Sequence, residues 1–211
     1  MYVRFFKRFF DIVLSFIAIV FLSWLFILTS IAVFIDDPGP ILFKQKRVGK
    51  GKNFFMMWKF RTMKMSAPHD TPTHLLANPD QYITRVGKVL RRTSLDELPQ
   101  LFNILIGHMS IIGPRPALWN QDDLLAERDR YGANDVRPGL TGWAQINGRD
   151  ELEIPVKAKL DGEYVANIGI AMDWKCFWGT VTKVLKGEGV VEGGTGRLET
   201  EKVLEEEVVS R

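Results

Sequence analysis

The longest hydrophobic pattern in the chain is an uncharged run near its N-terminus. Residues Ile12 to Ile35 form 24 consecutive positions without a charged side chain. A helix of that length spans about 36 Å, which exceeds the roughly 30 Å thickness of a bilayer's hydrocarbon core. The run is too long for a signal peptide, and no small-residue cleavage site follows it. A buried core helix is the alternative, but core helices are rarely apolar on every side over this length. The pattern predicts a membrane helix.

Basic residues flank this run on both sides. They are Arg4, Lys7 and Arg8 before it, and Lys44, Lys46, Arg47, Lys50 and Lys52 after it. Because basic flanks favour the cytoplasmic side, both ends of the run are expected there. A straight crossing would separate the two ends, whereas a re-entrant helix, bent back to the side it entered, would keep them together. The sequence leaves both topologies open.

The shorter patterns that follow the turn at Asp36 to Pro40 predict a mixed domain. Strand, turn and strand are predicted at Ile41 to Phe43, Gly49 to Asn53 and Phe54 to Met63. Short helices are predicted at residues 82–90, 99–105 and 120–131. Loops are predicted at Ser66 to Asp80 and at Arg137 to Arg149.

A second amphipathic pattern lies near the C-terminus. Trp174, Phe177 and Trp178 recur at helical spacing, with lysines between and after them. Such a helix can lie in the membrane interface with its aromatic side chains in the lipid, or it can pack on the domain core. The sequence favours neither.

Composition and charge narrow the classes of partner. The final segment, 187–211, has seven glutamates against three basic residues, so it carries −4 and residues 1–186 carry +7 of the overall +3. A basic body favours anionic partners, but no nucleic-acid motif is visible. The single cysteine, Cys176, excludes an internal disulfide, and the three histidines lack the spacing of a zinc site.

Two adjacent carboxylates, Asp96 and Glu97, follow a pair of arginines and precede an apolar stripe. Ser94 and Glu97 match a capping box, and Pro99 suits the first turn of a helix. Either helix start places both carboxylates near a helix N-terminus, which favours negative charge and phosphate binding. An ionised aspartate can serve as a nucleophile and a neighbouring carboxylate can hold Mg²⁺, so capping and catalysis are both open.

Basic residues elsewhere occupy positions suited to phosphate. Arg115 lies between two prolines, which fix the backbone around its guanidinium. Arg137 and Arg149 bound a glycine-rich stretch, and Lys59 alternates with apolar residues on a predicted strand. An ordinary turn or a packed loop explains each of these as well, and the chain has no Walker loop, dinucleotide fingerprint or nucleophile elbow.

Taken together, four segments resemble the bacterial sugar transferases, the small monotopic phosphoglycosyl transferases. The segments are Lys59-Phe60-Arg61-Thr62-Met63, residues 95–103 (LDELPQLFN), residues 109–116 (MSIIGPRP) and residues 137–143 (RPGLTGW). The resemblance runs in order from residues 6–11 to about Gly187. Four such segments in the same order make the resemblance specific. With it, a helix cap near Asp96 and Glu97 is compatible with a catalytic role for these residues.

The resemblance implies a reaction and its site. Asp96 would attack the β-phosphate of a UDP-sugar, release UMP and form a phosphosugar–aspartyl intermediate, which polyprenyl phosphate would then attack. Mg²⁺ would be bound at Asp96 and Glu97, with Glu97 also assisting the second step. Arg115 would grip phosphate, and the further substrate-binding residues would be Lys59, Arg91, Arg137 and Arg149.

The resemblance also implies an α+β fold and a location. Residues 1–36 would form a re-entrant membrane helix, 37–186 a catalytic domain with interfacial helices, and 187–211 an acidic tail. The domain would lie on the cytoplasmic face of the bacterial inner membrane, with membrane lipids and downstream glycosyltransferases as partners. Family members usually have a proline after the mid-helix serine, but Trp24 follows Ser23 here. The bend is therefore expected to depend on the hydroxyls of Ser23, Thr29 and Ser30, and Trp24→Pro is expected to be tolerated.

Two other functions remain open. A non-catalytic scaffold for glycan assembly would use the acidic tail to bind partners and would be indifferent to Asp96→Asn. A glycosidase would need two carboxylates that flank one bond, but adjacent helical residues point about 100° apart. The sequence does not indicate which sugar is transferred.

Overall fold

A computed structural model describes residues 2–67, 81–148 and 152–186 of the chain. The predicted acidic tail, Arg149 and residues 68–80 of the predicted loop at Ser66 to Asp80 lie outside the described residues.

The uncharged run forms two helices with a sharp bend between them. Helix α1 spans Lys7–Phe21 and helix α2 spans Ser23–Asp36, and their axes differ by 62°. Among the described helices none is long and apolar enough to cross a bilayer alone, but this bent pair meets the criteria of length and composition together.

The bend lies at Leu22, whose backbone leaves regular helical geometry (φ −93°, ψ 10°). The prediction of its cause is partly wrong. Ser30 bonds the Phe26 carbonyl at 2.7 Å, but the hydroxyls of Ser23 and Thr29 make no hydrogen bond within the described residues. Backbone hydrogen bonds continue across the bend, from Leu22 to Ala18 and from Phe26 to Leu22. The bend is therefore held mainly by what the two helices pack against.

Both ends of the bent pair are bound to the same domain. At the first end, Arg8 donates to the carbonyls of Ile104 and Leu105, and Asp11 accepts hydrogen bonds from the Ser110 hydroxyl and the Ile111 amide. At the other end, Asp36 accepts the Val86 amide at 2.8 Å, and Asp37 pairs with Arg61 and accepts the Met65 amide. The outer surface between these ends is apolar, as Phe21 and Ile35 illustrate with 75% and 73% exposure.

The predicted strand, turn and strand are confirmed, with different bounds. Strands β1 (Leu42–Val48) and β2 (Phe54–Phe60) pair antiparallel, and the 3₁₀ turn Lys50–Lys52 joins them. The three predicted helices are also present, as α3 (Arg85–Arg92), α4 (Gln100–Ile106) and α5 (Asp122–Asp129).

The predicted loop at Arg137 to Arg149 is partly wrong, because it contains regular structure. Strand β4 (Gly139–Thr141) pairs in parallel with β3 (Ser110–Ile112), and helix α6 spans Trp143–Ile146. Glycine makes this pairing feasible, since a Cβ on Gly139 would lie 2.1 Å from the Gly113 nitrogen.

Two longer helices complete the described fold. Helix α7 (Ile154–Ala166) was not expected from the sequence, while α8 (Ile170–Lys186) contains the predicted amphipathic pattern. The packing of α8 on the domain core is confirmed, while its contact with a membrane interface stays a prediction. Cys176 is fully buried in the core, whereas Trp174, Phe177 and Trp178 are exposed and contact one another.

Asp173, in the first turn of α8, joins three parts of the chain. It accepts hydrogen bonds from Tyr2 and Lys7 at 2.6 Å each and from Tyr164 in α7 at 2.8 Å. The central core lies between β2 and α4, where Met57 and Ile104 are buried and Ala18 of α1 packs against them. Helices and two small sheets in one domain agree with the expected α+β class.

Candidate active site

Asp96 and Glu97 lie in a 3₁₀ turn, Leu95–Glu97, directly before α4. The capping box is wrong. The Ser94 side chain caps nothing, and its backbone is left-handed with φ of +56°. Pro99 is the residue before the first turn of α4, so the α-helix begins after both carboxylates. Asp96 and Glu97 therefore lie outside the backbone hydrogen bonds of α4, just before its N-terminal end.

Glu97 is the anchored member of the pair. Its Oε1 accepts hydrogen bonds from Lys59 Nζ at 2.8 Å and from Arg115 Nη2 at 2.9 Å. Burial alone would raise the pKa of the Glu97 carboxyl, but Arg115 and Lys59 together hold that pKa well below its ordinary value. Glu97 is therefore ionised at neutral pH and keeps two basic groups in the site.

Asp96 is the unanchored member. Its side chain makes no hydrogen bond within the described residues, and its nearest cation is Lys59 Nζ at 3.9 Å. Burial raises the pKa of the Asp96 carboxyl, Lys59 lowers it and the Glu97 charge raises it again, so the net direction is upward. A buried carboxylate without hydrogen bonds has both oxygens available for reaction.

A buried amide brings Lys59 to the carboxylates. Asn103 is completely buried in α4, accepts the Trp58 amide at 3.0 Å and donates to the Met56 carbonyl at 2.9 Å. These two bonds fix α4 against strand β2, on which Lys59 follows Trp58. No role for Asn103 was predicted from the sequence, although a polar amide within an apolar stripe was the signal that could have found it.

The other predicted residues differ in placement. Arg91, at the end of α3, donates to the Thr62 hydroxyl at 2.9 Å and favours ionisation of Asp96. Arg115 reaches Glu97 from the segment that follows β3. Arg137 instead donates to the Gly107 carbonyl at the end of α4 and lines a separate cavity.

The two carboxylates suit a divalent cation that substrate phosphates would also ligate. No cluster of three or more candidate metal ligands occurs among the described residues. Mg²⁺, however, commonly takes only one or two carboxylates, with phosphates and water completing its shell. The unbonded Asp96 oxygens fit that role, as does the Glu97 oxygen that neither cation contacts.

Comparisons with known proteins give the family. The bacterial sugar transferase family profile matches residues 2–187. The exopolysaccharide production protein PSS of Rhizobium leguminosarum bv. phaseoli is 38% identical over 196 residues, covering 87% of this chain and 97% of that protein. A UDP-glucose:undecaprenyl-phosphate glucose-1-phosphate transferase of Escherichia coli (strain K12) is 40% identical, covering 85% of this chain and 40% of that protein.

The name of a third relative specifies a different sugar. It is a UDP-N-acetylgalactosamine-undecaprenyl-phosphate N-acetylgalactosaminephosphotransferase of Aeromonas hydrophila, which is 38% identical and covers 88% of this chain and 45% of that protein. The family profile spans nearly all of the described residues, including both carboxylates and their cations. This chain belongs to the bacterial sugar transferase family.

Proposed function

We propose that this protein transfers a sugar 1-phosphate from a UDP-sugar to undecaprenyl phosphate and releases UMP. The observation that carries the proposal is the difference between the adjacent carboxylates. Glu97 is held by two cations, while buried Asp96 lies 3.9 Å from Lys59 and makes no side-chain hydrogen bond within the described residues. The relatives' names support the reaction class, and this geometry supports Asp96 as the reacting group.

In the first step, an Asp96 oxygen attacks the β-phosphorus of the UDP-sugar. The bond from that phosphorus to the oxygen bridging the two phosphates breaks, and UMP leaves with the bonding electrons. The product is a phosphosugar–aspartyl intermediate. Lys59, Arg91 and Arg115 are basic groups near the carboxylates that can offset charge on the phosphoryl oxygens.

In the second step, a phosphate oxygen of undecaprenyl phosphate attacks the same phosphorus, and the Asp96 carboxylate is released. The attacking oxygen already carries negative charge, so no proton has to be removed. Glu97, with its low pKa, is a weak proton acceptor. It assists this step by holding Lys59 and Arg115 in place.

Asp96 and Glu97 are also the residues that would hold Mg²⁺, whose chemistry when bound is to offset negative charge on the transferring phosphoryl group. Their unbonded oxygens are the donors for it.

The bent helix pair is proposed to be re-entrant, with the domain on the cytoplasmic face of the inner membrane. Both ends of the pair bind one domain, which fits a helix that returns to its side of entry. The exposed aromatic side chains of α8 provide a second apolar contact beside it. UDP-sugars are cytoplasmic, so this placement gives one site access to both substrates. Enzymes that extend the lipid-linked sugar would be its downstream partners.

The test is UMP release by the full-length protein in detergent with Mg²⁺ and undecaprenyl phosphate, across a panel that includes UDP-glucose and UDP-N-acetylgalactosamine. One sugar is expected to give UMP and a lipid-linked sugar diphosphate. Asp96→Asn should abolish both products, and wild-type protein with a radiolabelled sugar should carry hydroxylamine-labile label, as expected of an acyl phosphate, when the acceptor is omitted.

Two results would overturn the proposal. Release of UDP would indicate ordinary glycosyl transfer, and full activity of Asp96→Asn would remove the nucleophile. Lys88→Gln is the matched control, because Lys88 is an exposed cation on α3 whose side chain makes no hydrogen bond or ion pair within the described residues.

A further inference from the structure

A cavity of about 250 Å³ lies between the start of α1 and the parallel strand pair, apart from the carboxylate pair. Its lining includes four basic side chains, Lys7, Arg8, Lys50 and Arg137, against two carboxylates. Neither Asp96 nor Glu97 lines it, and none of its basic residues contacts them within the described part of the chain. The volume is far above the 10–15 Å³ or so that one water requires.

Two arginines converge at one edge of this cavity. The terminal nitrogens of Arg8 donate to the carbonyls of Ile104 and Leu105, and Nε of Arg137 donates to the Gly107 carbonyl. Within the described residues, neither guanidinium is paired with a carboxylate. Like charges in proximity repel, so a bound anion would stabilise this arrangement.

Donors for that anion remain. The terminal nitrogens of Arg137 and the Lys50 ammonium have no hydrogen-bond partner among residues 2–67, 81–148 and 152–186. A guanidinium with both terminal nitrogens available suits two-point contact with phosphate oxygens. The Arg137 guanidinium and the Lys50 ammonium can therefore both bind a phosphate without breaking a hydrogen bond within the described residues.

The position of the cavity indicates where the phosphate comes from. Lys7 and Arg8 immediately precede the apolar run, and Phe5, Phe6 and Phe9 beside them are exposed. Apolar residues, among them Val3 and Ile168, line the same cavity as the basic groups. Basic and apolar surfaces that meet at the start of a membrane helix fit a lipid headgroup better than a free ion.

We propose that this cavity binds the phosphate of a membrane phospholipid, with preference for an anionic headgroup such as phosphatidylglycerol. The site would fix the depth of α1 at the headgroup level and would add a lipid contact to the contacts that hold α1 on α4. The inference rests on the proposed membrane placement of α1 but requires no particular transfer reaction.

The test is thermal unfolding of the full-length protein in detergent, titrated with dihexanoyl-phosphatidylglycerol, dihexanoyl-phosphatidylcholine or inorganic phosphate. Phosphatidylglycerol is expected to raise the unfolding midpoint at the lowest concentration. Lys50→Gln and Arg137→Gln should each raise the half-saturating lipid concentration by about tenfold, as expected when a charged hydrogen bond is lost. The Lys50 side chain makes no hydrogen bond in the described part of the chain, so Lys50→Gln tests lipid binding with little effect on folding.

Lys88→Gln removes an exposed charge on α3, outside the cavity lining, and should leave the lipid titration unchanged. Equal titrations of Lys50→Gln, Arg137→Gln and wild type would overturn the proposal. So would an inorganic phosphate shift equal to the lipid shift, because the cavity would then be a free-anion site. UMP release by wild type, measured alongside, shows independently whether the proposed reaction holds.

Discussion

Asp96 and Glu97 are neighbours in one turn, yet the fold shifts their pKa values in opposite directions. Burial dominates at Asp96, so ionising that carboxyl is disfavoured in the folded protein. At Glu97 burial is outweighed by Arg115 and Lys59, so ionisation is favoured. Asp96 is thus left without a bonded cation, while Glu97 holds the two cations beside it.

These opposite shifts predict opposite effects on stability. The raised pKa of Asp96 means that its contribution to folding is present at low pH and is lost as pH rises through that pKa. Glu97 has a lowered pKa, so its contribution is present above its unfolded pKa and is lost as pH falls through the folded one. At neutral pH, Asp96→Asn is expected to raise the unfolding midpoint, and Glu97→Gln to reduce stability by about 1–3 kcal/mol.

Thermal unfolding at pH 7 and pH 4 measures both effects. The gain from Asp96→Asn should shrink at pH 4, where the wild-type carboxyl approaches its neutral form. A loss of stability in both variants at pH 7 would contradict the assignment of the two charge states.

A second prediction concerns the acidic limb of the activity profile. In the proposed mechanism Asp96 attacks phosphorus in its ionised form, and Lys59 lowers the pKa of Asp96. Lys59→Gln is therefore expected to move the acidic limb of kcat/KM to higher pH, in addition to lowering its maximum. Lys88→Gln should leave the acidic limb of kcat/KM at the wild-type pH. If Lys59→Gln also leaves it unshifted, ionisation of Asp96 does not control the rate in that pH range.

At the scale of elements, the site depends on how α4 and β2 are joined. Asn103 replaces a missing strand neighbour for β2, since its amide both accepts from Trp58 and donates to Met56. The same helix begins just after Glu97, and the same strand bears Lys59. The spacing of the carboxylates and the lysine is consequently set by a side chain that need not touch substrate.

Asn103→Leu tests this link. It removes the hydrogen-bond partner of both the Trp58 amide and the Met56 carbonyl at a fully buried position, so a loss of about 2–5 kcal/mol is expected. The turnover number of the remaining folded protein should also fall, because Lys59 loses its register against Glu97. Asn167→Ala is the control, since among the described residues that exposed amide donates only to the Glu163 carbonyl of the preceding helix. Unchanged stability in Asn103→Leu would contradict the structural role.

The bend between α1 and α2 gives the second prediction at this scale. Helix α2 begins at Ser23, so Trp24 lies in its first turn, where proline is tolerated. Trp24→Pro is expected to retain membrane association and UMP release. Ile27→Pro, one turn further, interrupts the helix and should lose both. Flotation with vesicles together with the UMP assay compares them, and loss of insertion in Trp24→Pro would exclude a bend at this position.

At the scale of the whole molecule, Asp173 connects the N-terminus, α7 and α8. Its ion pair with Lys7 is largely buried, with 13% and 12% of the two side chains exposed. Asp173→Asn should reduce stability by about 1–3 kcal/mol, because charged hydrogen bonds are lost in a shielded place. Asp129→Asn breaks the exposed pair with Lys52 and should change the unfolding midpoint little. Equal midpoints for the two variants would show that Asp173 is not a stabilising junction.

Features that depend on the local spacing of apolar and polar residues could be predicted from the sequence, whereas those that depend on tertiary contacts could not. Lys59 could be predicted to line a site because it alternates with apolar residues on a strand, and the fold places it on Glu97. Ser94 was misassigned because its left-handed backbone depends on how α3 meets α4, which local spacing does not encode. Strands β3 and β4 have three residues each, too few for periodicity, and their pairing depends on close backbone approach at glycine. The family resemblance predicted Asp96 as the nucleophile, but it could not show that Asp96 and Glu97 differ in their bonding.

The clamped ends of the bent helix pair have a consequence for biosynthesis. Asp36 is bonded to Val86, 50 residues later, and Arg8 to Ile104, 96 residues later. On the proposed topology, the apolar segment emerges from the ribosome before either clamp exists. A nascent chain would then present a run long enough to cross the bilayer, and only later synthesis would supply the contacts that hold its two ends together. The re-entrant topology therefore requires that residues 37–110 be synthesised before the apolar run crosses the bilayer. Slow synthesis of these residues is expected to increase the fraction of chains with the wrong orientation.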